Sequence, residues 1–163
     1  MPYTPLMSEI LDNVAKAKTK DQKVNILREH NSAALRMIIK ASFDPNIEWD
    51  LPEGDVPFER NDAPEGTEHN MLVHEARTLF HYIKGGNPNL SQNRRENMFI
   101  QMLEGLHENE ADLVVSAKDK ALHRKYKGLS SNVVKEAFNW TDEYMLDEVI
   151  YPQTPGLASG IDR

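Results

Sequence analysis

Apolar residues in this chain recur at steps of three and four and never alternate over a useful length, which confines it to helices. Ile10, Leu11 and Val14 mark one face of a short first helix that Ser8 is placed to cap. Thr19, followed three residues later by Gln22, makes a capping box for a second helix whose core side carries Val24 and Leu27, with Ile26 beside them. Asn31 and Ser32 interrupt the pattern and open a third helix with Leu35, Ile38 and Ile39. From Thr67 onward, Leu72, Ala76, Leu79, Phe80 and Ile83 predict a buried stripe, closed by Gly85-Gly86-Asn87-Pro88-Asn89. Ser91 then caps a helix with Phe99, Met102, Leu103 and Leu106. A further helix from about Glu110 carries Leu113, Val114 and Ala117. After Gly128, Ser130 or Ser131 caps a short helix with Val133, Val134, Ala137 and Phe138. A last amphipathic segment runs from Thr141 to Ile150. The expectation is an all-α single domain over residues 1–151, about seven or eight helices, with a mobile tail over 152–163.

One segment breaks the pattern. Residues 44–66 hold four of the nine prolines, Pro45, Pro52, Pro57 and Pro64, spaced so that no helix fits between them. Eight acids lie there against a single base, Arg60. It reads as a long acidic excursion pinned to the domain by Trp49 and Phe58, with a disordered linker as the alternative.

Charge is unevenly spread. The net charge is −7, yet between Lys118 and Glu136 six Lys or Arg face two acids. An acidic whole argues against strong sequence-independent attraction to a polyanion, whereas a local basic patch permits weak, salt-sensitive contact. No apolar run reaches the roughly 20 residues that cross a bilayer, so no membrane contact is expected. The opening residues lack the pattern of a secretory signal, and with no cysteine the chain has no thiolate chemistry.

The stretch "HRKYKGLSSNVVKEAF" (His123 to Phe138) carries a Lys-Tyr-x-Gly sequence like the active-site lysine motif of nucleotidyltransferases. Lys127 occupies the place of the acidic residue that such chemistry uses, and no strands surround it to build a nucleotide site. His69, His74 and His81 lack the four-residue spacing of a zinc helix. The acid pairs Glu108 with Glu110, Asp142 with Glu143 and Asp147 with Glu148 read as solvated faces. Gly85-Gly86 follows no strand, as a phosphate-cradling loop would. The chain is therefore read as non-catalytic and without a cofactor.

Three basic turns remain as contact candidates. The first is Lys125, Lys127, Gly128, Ser130, Ser131 and Lys135, where a helix start offers free N–H groups to phosphate. The second is Lys84, Arg94 and Arg95 around the Gly85-Gly86 turn. The third is Lys18, Lys20 and Lys23, with Lys16, around the first interhelical turn.

"EILDNVAKAKTKDQKVNILREHNSAALRMIIKASFDP" (Glu9 to Pro45) resembles the opening of the N-terminal DNA-binding domain of T4-type phage ATP-dependent DNA ligases. "EADLVVSAKDKALHRKYKGLSSNVVKEAFNW" (Glu110 to Trp140) is similar to the end of that domain, where a Gly-x-Ser turn leads into a short apolar helix. The whole sequence also resembles a family of small uncharacterised proteins of T4-like, especially marine, tailed phages. The ligase resemblance implies minor-groove contact beside a nick through Lys18, Lys20, Lys23, the Gly85-Gly86 turn and Gly128 to Ser131, and a sliding-clamp partner. The ligases' catalytic and oligonucleotide-binding-fold domains have no counterpart here, nor does their DNA-binding domain have the acidic excursion. The expectation is a phage accessory protein of the host cytoplasm that binds duplex or nicked DNA or works beside the replication machinery. Two alternatives stand: an adaptor to the sliding clamp or polymerase, using Tyr144 to Tyr151, and a virion component.

Overall fold

In the computed structural model, which describes residues 5–60 and 70–145, eight α-helices and one 3-10 helix pack around a single apolar core. They are α1 (Met7–Lys16), α2 (Lys20–Glu29), α3 (Ala33–Phe43), α4 (Leu72–Glu75), the 3-10 helix Ala76–Tyr82, α5 (Gln92–Gly105), α6 (Glu108–Lys118), α7 (Leu122–Lys125) and α8 (Ser131–Phe138). The described residues contain no strand, only isolated bridges between Trp49 and Ile83 and between Asn70 and Leu106. The fold is all-α. None of the described helices is long and apolar enough to cross a membrane.

Local capping follows the sequence at four starts. Thr19 Oγ1 accepts from the Gln22 N–H at 3.2 Å while the Gln22 side chain reaches back, and Ser32, Ser91 and Ser130 cap α3, α5 and α8. The first helix departs from expectation. It begins one residue before Ser8, which lies buried inside α1 with its hydroxyl unpartnered. Glu9 Oε2 accepts the Leu6 N–H at 2.8 Å instead.

A second departure is Glu110, expected on a solvated face and in fact fully buried. One carboxylate oxygen accepts the Met7 N–H at 2.7 Å and the other the Leu72 N–H at 2.8 Å. A single side chain of α6 thus caps both α1 and α4.

The acidic excursion is held along its described part, residues 44–60. Trp49 is buried and its Nε1 donates to the Ala41 carbonyl at 2.9 Å, while Phe58 is half-buried against the core. The larger anchor is Lys118, which the sequence did not single out. Its buried ammonium donates to the carbonyls of Pro52 and Gly54 at 2.7 and 3.0 Å and pairs with Asp119. Arg60 closes the segment on α6, with its guanidinium on both Asp112 oxygens at 2.8 and 3.0 Å.

Phe80 is the third correction. It was expected in the buried stripe and stands 49 % exposed. An α-helix puts a residue about 40° round from the one four before it, whereas a 3-10 helix puts it about 120° round. The 3-10 winding keeps Ala76, Leu79 and Tyr82 inward and turns Phe80 out. Thr67, His69 and the end of the excursion, residues 61–66, lie outside the described residues. So does most of the expected last helix and all of the tail. Thr141 to Met145 form a turn, with the Thr141 N–H on the Met145 carbonyl at 2.7 Å, and no helix begins there.

Candidate nucleic-acid interface

The α7–α8 hairpin is built by Gly128. Its φ of +89° suits glycine alone, and it turns the chain from the basic end of α7 to the Ser130 cap of α8 within a few residues. Leu129 is buried beneath the turn, and its N–H donates to the Tyr126 carbonyl at 3.0 Å. Ser130 Oγ accepts from the Val133 N–H at 3.3 Å. The N–H groups of Ser131 and Asn132 have no acceptor among the described residues, leaving the positive end of α8 open to solvent.

Lys23 brings the first interhelical turn onto this hairpin. Its ammonium donates to the carbonyls of Val14, at 3.1 Å, and Ala17, capping the end of α1. Its methylene stem crosses Gly128 so closely that an added Cβ there would lie 2.7 Å from Cε. Two of the three basic turns, far apart in sequence, therefore form one surface. α2 and α8 pack along each other, with Lys20 paired to Glu136 at 2.9 Å and Arg28 donating to the Glu136 and Ala137 carbonyls at 2.8 and 3.2 Å. The Lys20 ammonium holds the Glu136 carboxyl below its ordinary value, first by hydrogen bond and then by charge.

The cations of this surface differ in how far they are engaged. Lys16, Lys18, Arg124 and Lys127 are exposed and make no ion pair with any described residue. Lys125 lies 5.6 Å over the Tyr126 ring and keeps its charge outward. Lys135 is more committed, 3.3 Å from Asp142 and 4.9 Å over the Tyr144 ring. Ser131 shares a 2.8 Å hydrogen bond with the Tyr144 hydroxyl. On the other side of the α8 start lies an open depression lined by Ser42, Phe43, Pro45, Lys120, His123, Ser130 and Ser131. Lys120 donates to the Asp44 carbonyl at 2.6 Å, and burial lowers its pKa against the pull of Asp44 and Glu48.

The remaining basic turn stands apart and is mostly structural. Arg95 is buried, with donors on the carbonyls of His81, Asn87 and Leu90 and on Gln92, and an ion pair to Asp50. Lys84 pairs with Glu48 at 3.2 Å. Arg94 alone of the three is exposed without an ion pair among the described residues. His81 stacks on Phe80, and no group of three or more metal-ligating side chains occurs among the described residues.

Residues 10–124 match a family described as a family of unknown function, DUF6433. The chain belongs to DUF6433. The matched stretch takes in most of the helical core and the first interhelical turn, and it ends inside α7, before Gly128. No curated protein and no solved structure matches this DUF6433 chain.

Proposed function

We propose that this DUF6433 protein is a non-catalytic DNA-binding module, working as an accessory protein in a phage-infected cell, as its resemblance to ligase DNA-binding domains and small phage proteins implies. The observation that carries this reading is the meeting of two basic turns at Gly128, where Lys23 lies on the hairpin. Around that contact Lys16, Lys18, Lys125, Lys127 and Arg124 present positive charge beside the unfilled N-terminus of α8. Backbone N–H groups and ammonium groups on one surface suit a phosphate backbone, and such contacts position a duplex without reading its sequence. Lys84 and Arg94 are secondary contacts, while Arg95 keeps the Gly85-Gly86 turn in shape.

Fluorescence anisotropy with nicked and intact duplexes tests this. The wild type is compared with the Lys125→Glu, Lys127→Glu double variant at low and moderate salt. The logarithm of affinity should fall with that of salt by about 0.9 per phosphate engaged, and the double variant should bind more weakly with a shallower slope. Equal binding by wild type and variant would sink the hairpin as the contact surface. No binding at low salt would overturn the DNA reading and turn attention to protein contacts.

A further inference from the structure

The 3-10 helix presents a second surface that the hairpin does not use. On its solvent side Arg77 and Phe80, three residues apart, lie one above the other, because side chains at that spacing eclipse in a 3-10 helix. The Phe80 ring is 49 % exposed and is backed by His81, with ring centroids 4.0 Å apart. The backing ring is itself fixed: Asn87 Nδ2 lies 3.0 Å from His81 Nδ1, and Arg95 Nε donates to the His81 carbonyl at 2.9 Å.

The backbone that aims Phe80 outward is tightly determined. The carbonyl of Tyr82 accepts from the Asp50 N–H at 2.7 Å, and Ile83 bridges to Trp49. Gly86 comes so close that a Cβ there would sit 2.0 Å from the Phe80 carbonyl oxygen. A seven-residue 3-10 run is long for that winding, and here it ends by holding a flat apolar ring in water. Of the nearby acids, Glu48 and Asp50 are paired to Lys84 and Arg95, and Glu75 acts on the buried Tyr82 hydroxyl. Arg77 and Arg94 are left exposed without ion pairs among the described residues.

We infer that Phe80 is a stacking platform for an unpaired nucleobase, with Arg77 and Arg94 attending the adjoining phosphates. This rests on the DNA-binding reading and extends it to strands with accessible bases. The elements that carry the two surfaces, the 3-10 helix and the α7–α8 hairpin, both pack against α3. The Ala41 carbonyl holds Trp49, which bridges to Ile83, and Ser42 Oγ accepts the Leu122 N–H at 3.4 Å at the start of α7. An aromatic face suits a base of any sequence, since every base has a π-face.

The test compares a short oligothymidylate with an abasic strand of equal length and charge, by anisotropy, on wild type, Phe80→Ala and Phe80→Leu. The base-bearing strand should bind wild type about 5- to 150-fold more tightly than the abasic one, the range for one stacked base. Both variants should lose that preference and keep the abasic affinity, because leucine retains apolar bulk without a flat face. Melting curves of the variants should match wild type, since the ring is half in solvent. Equal binding of the two strands by wild type overturns the platform and leaves the hairpin reading standing. A preference that survives in Phe80→Ala overturns it equally. Binding of neither strand by wild type overturns the platform, while the duplex titration above decides the hairpin reading separately.

Discussion

Replacing Glu110 with alanine should be among the most destabilising single changes in this protein. The carboxylate takes the Met7 N–H at 2.7 Å and the Leu72 N–H at 2.8 Å, so one truncation uncaps α1 and α4 together. Each lost cap costs about 0.5–2 kcal/mol, and a buried donor left without an acceptor about 1–3 kcal/mol. Loss of both donors' acceptor therefore predicts roughly 2–4 kcal/mol, a fall in Tm of roughly 4–16 °C for a chain of this size. Glu110→Gln keeps one acceptor but turns an NH2 towards the other N–H, so it should recover only part of the loss. Urea or thermal unfolding followed by circular dichroism gives the magnitude. Amide hydrogen exchange gives the mechanism, because Met7 and Leu72 sit in first turns whose N–H groups are ordinarily open to water. Both amides should be protected in wild type and lose protection selectively in Glu110→Ala. A change below about 0.5 kcal/mol, or unprotected amides in wild type, would refute the double cap.

Two further perturbations follow from the same geometry. Gly86→Ala forces a Cβ to 2.0 Å from a backbone oxygen, whereas Gly85 at φ +85° has open space around it. In urea titration Gly86→Ala should cost roughly 2–4 kcal/mol and Gly85→Ala only about 1 kcal/mol. Burial, with the Glu75 carboxylate adding to it, pushes the Tyr82 hydroxyl up to about 12, and burial raises Tyr126 further. Their contribution to stability is complete below the unfolded tyrosine value of about 10 and is lost as pH rises from there through the folded values. A Tyr82→Phe, Tyr126→Phe double variant should therefore show a flatter loss of stability above about pH 10, measured by denaturant midpoints across pH.

How much of this was legible in the sequence depends on range. Thr19, Ser32, Ser91 and Ser130 announce their helices because a cap and the N–H groups it serves lie within three residues. The apolar stripes of α3, α6 and α8 are equally local, and all are buried as their spacing implies. Glu110 was misread because a carboxylate beside other acids looks solvated, and the N–H groups it serves lie 103 and 38 residues away. Lys118 gives no local sign that it anchors Pro52 and Gly54. Phe80 failed for a different reason: four-three spacing presumes α winding, whereas this segment winds as a 3-10 helix whose last carbonyls are held by the Arg95 side chain and the Asp50 N–H. At the candidate site the basic turns were visible one by one. That Lys23 closes on Gly128 was not, since no local pattern links residues 105 apart.

The same contact resolves the conflict between an acidic total and a basic surface. Summed over the chain, −7 speaks against a polyanion partner. The fold does not present that sum. Lys118 and Arg60 tie the acidic excursion onto α6, and the Glu59 N–H adds a bond to Glu104 of α5. The hairpin and the first interhelical turn pack instead through α2 and α8. Charges exposed to solvent interact over a Debye length of about 8 Å at physiological salt, so what a ligand meets is the charge of the surface it touches. Acids on the stretch tied to α5 and α6 would weigh little on a phosphate placed at the start of α8, and Asp44, at the near end of the excursion, is buried and paired with Lys40. A net charge is a sum over positions, and only the fold decides which of its terms share a surface.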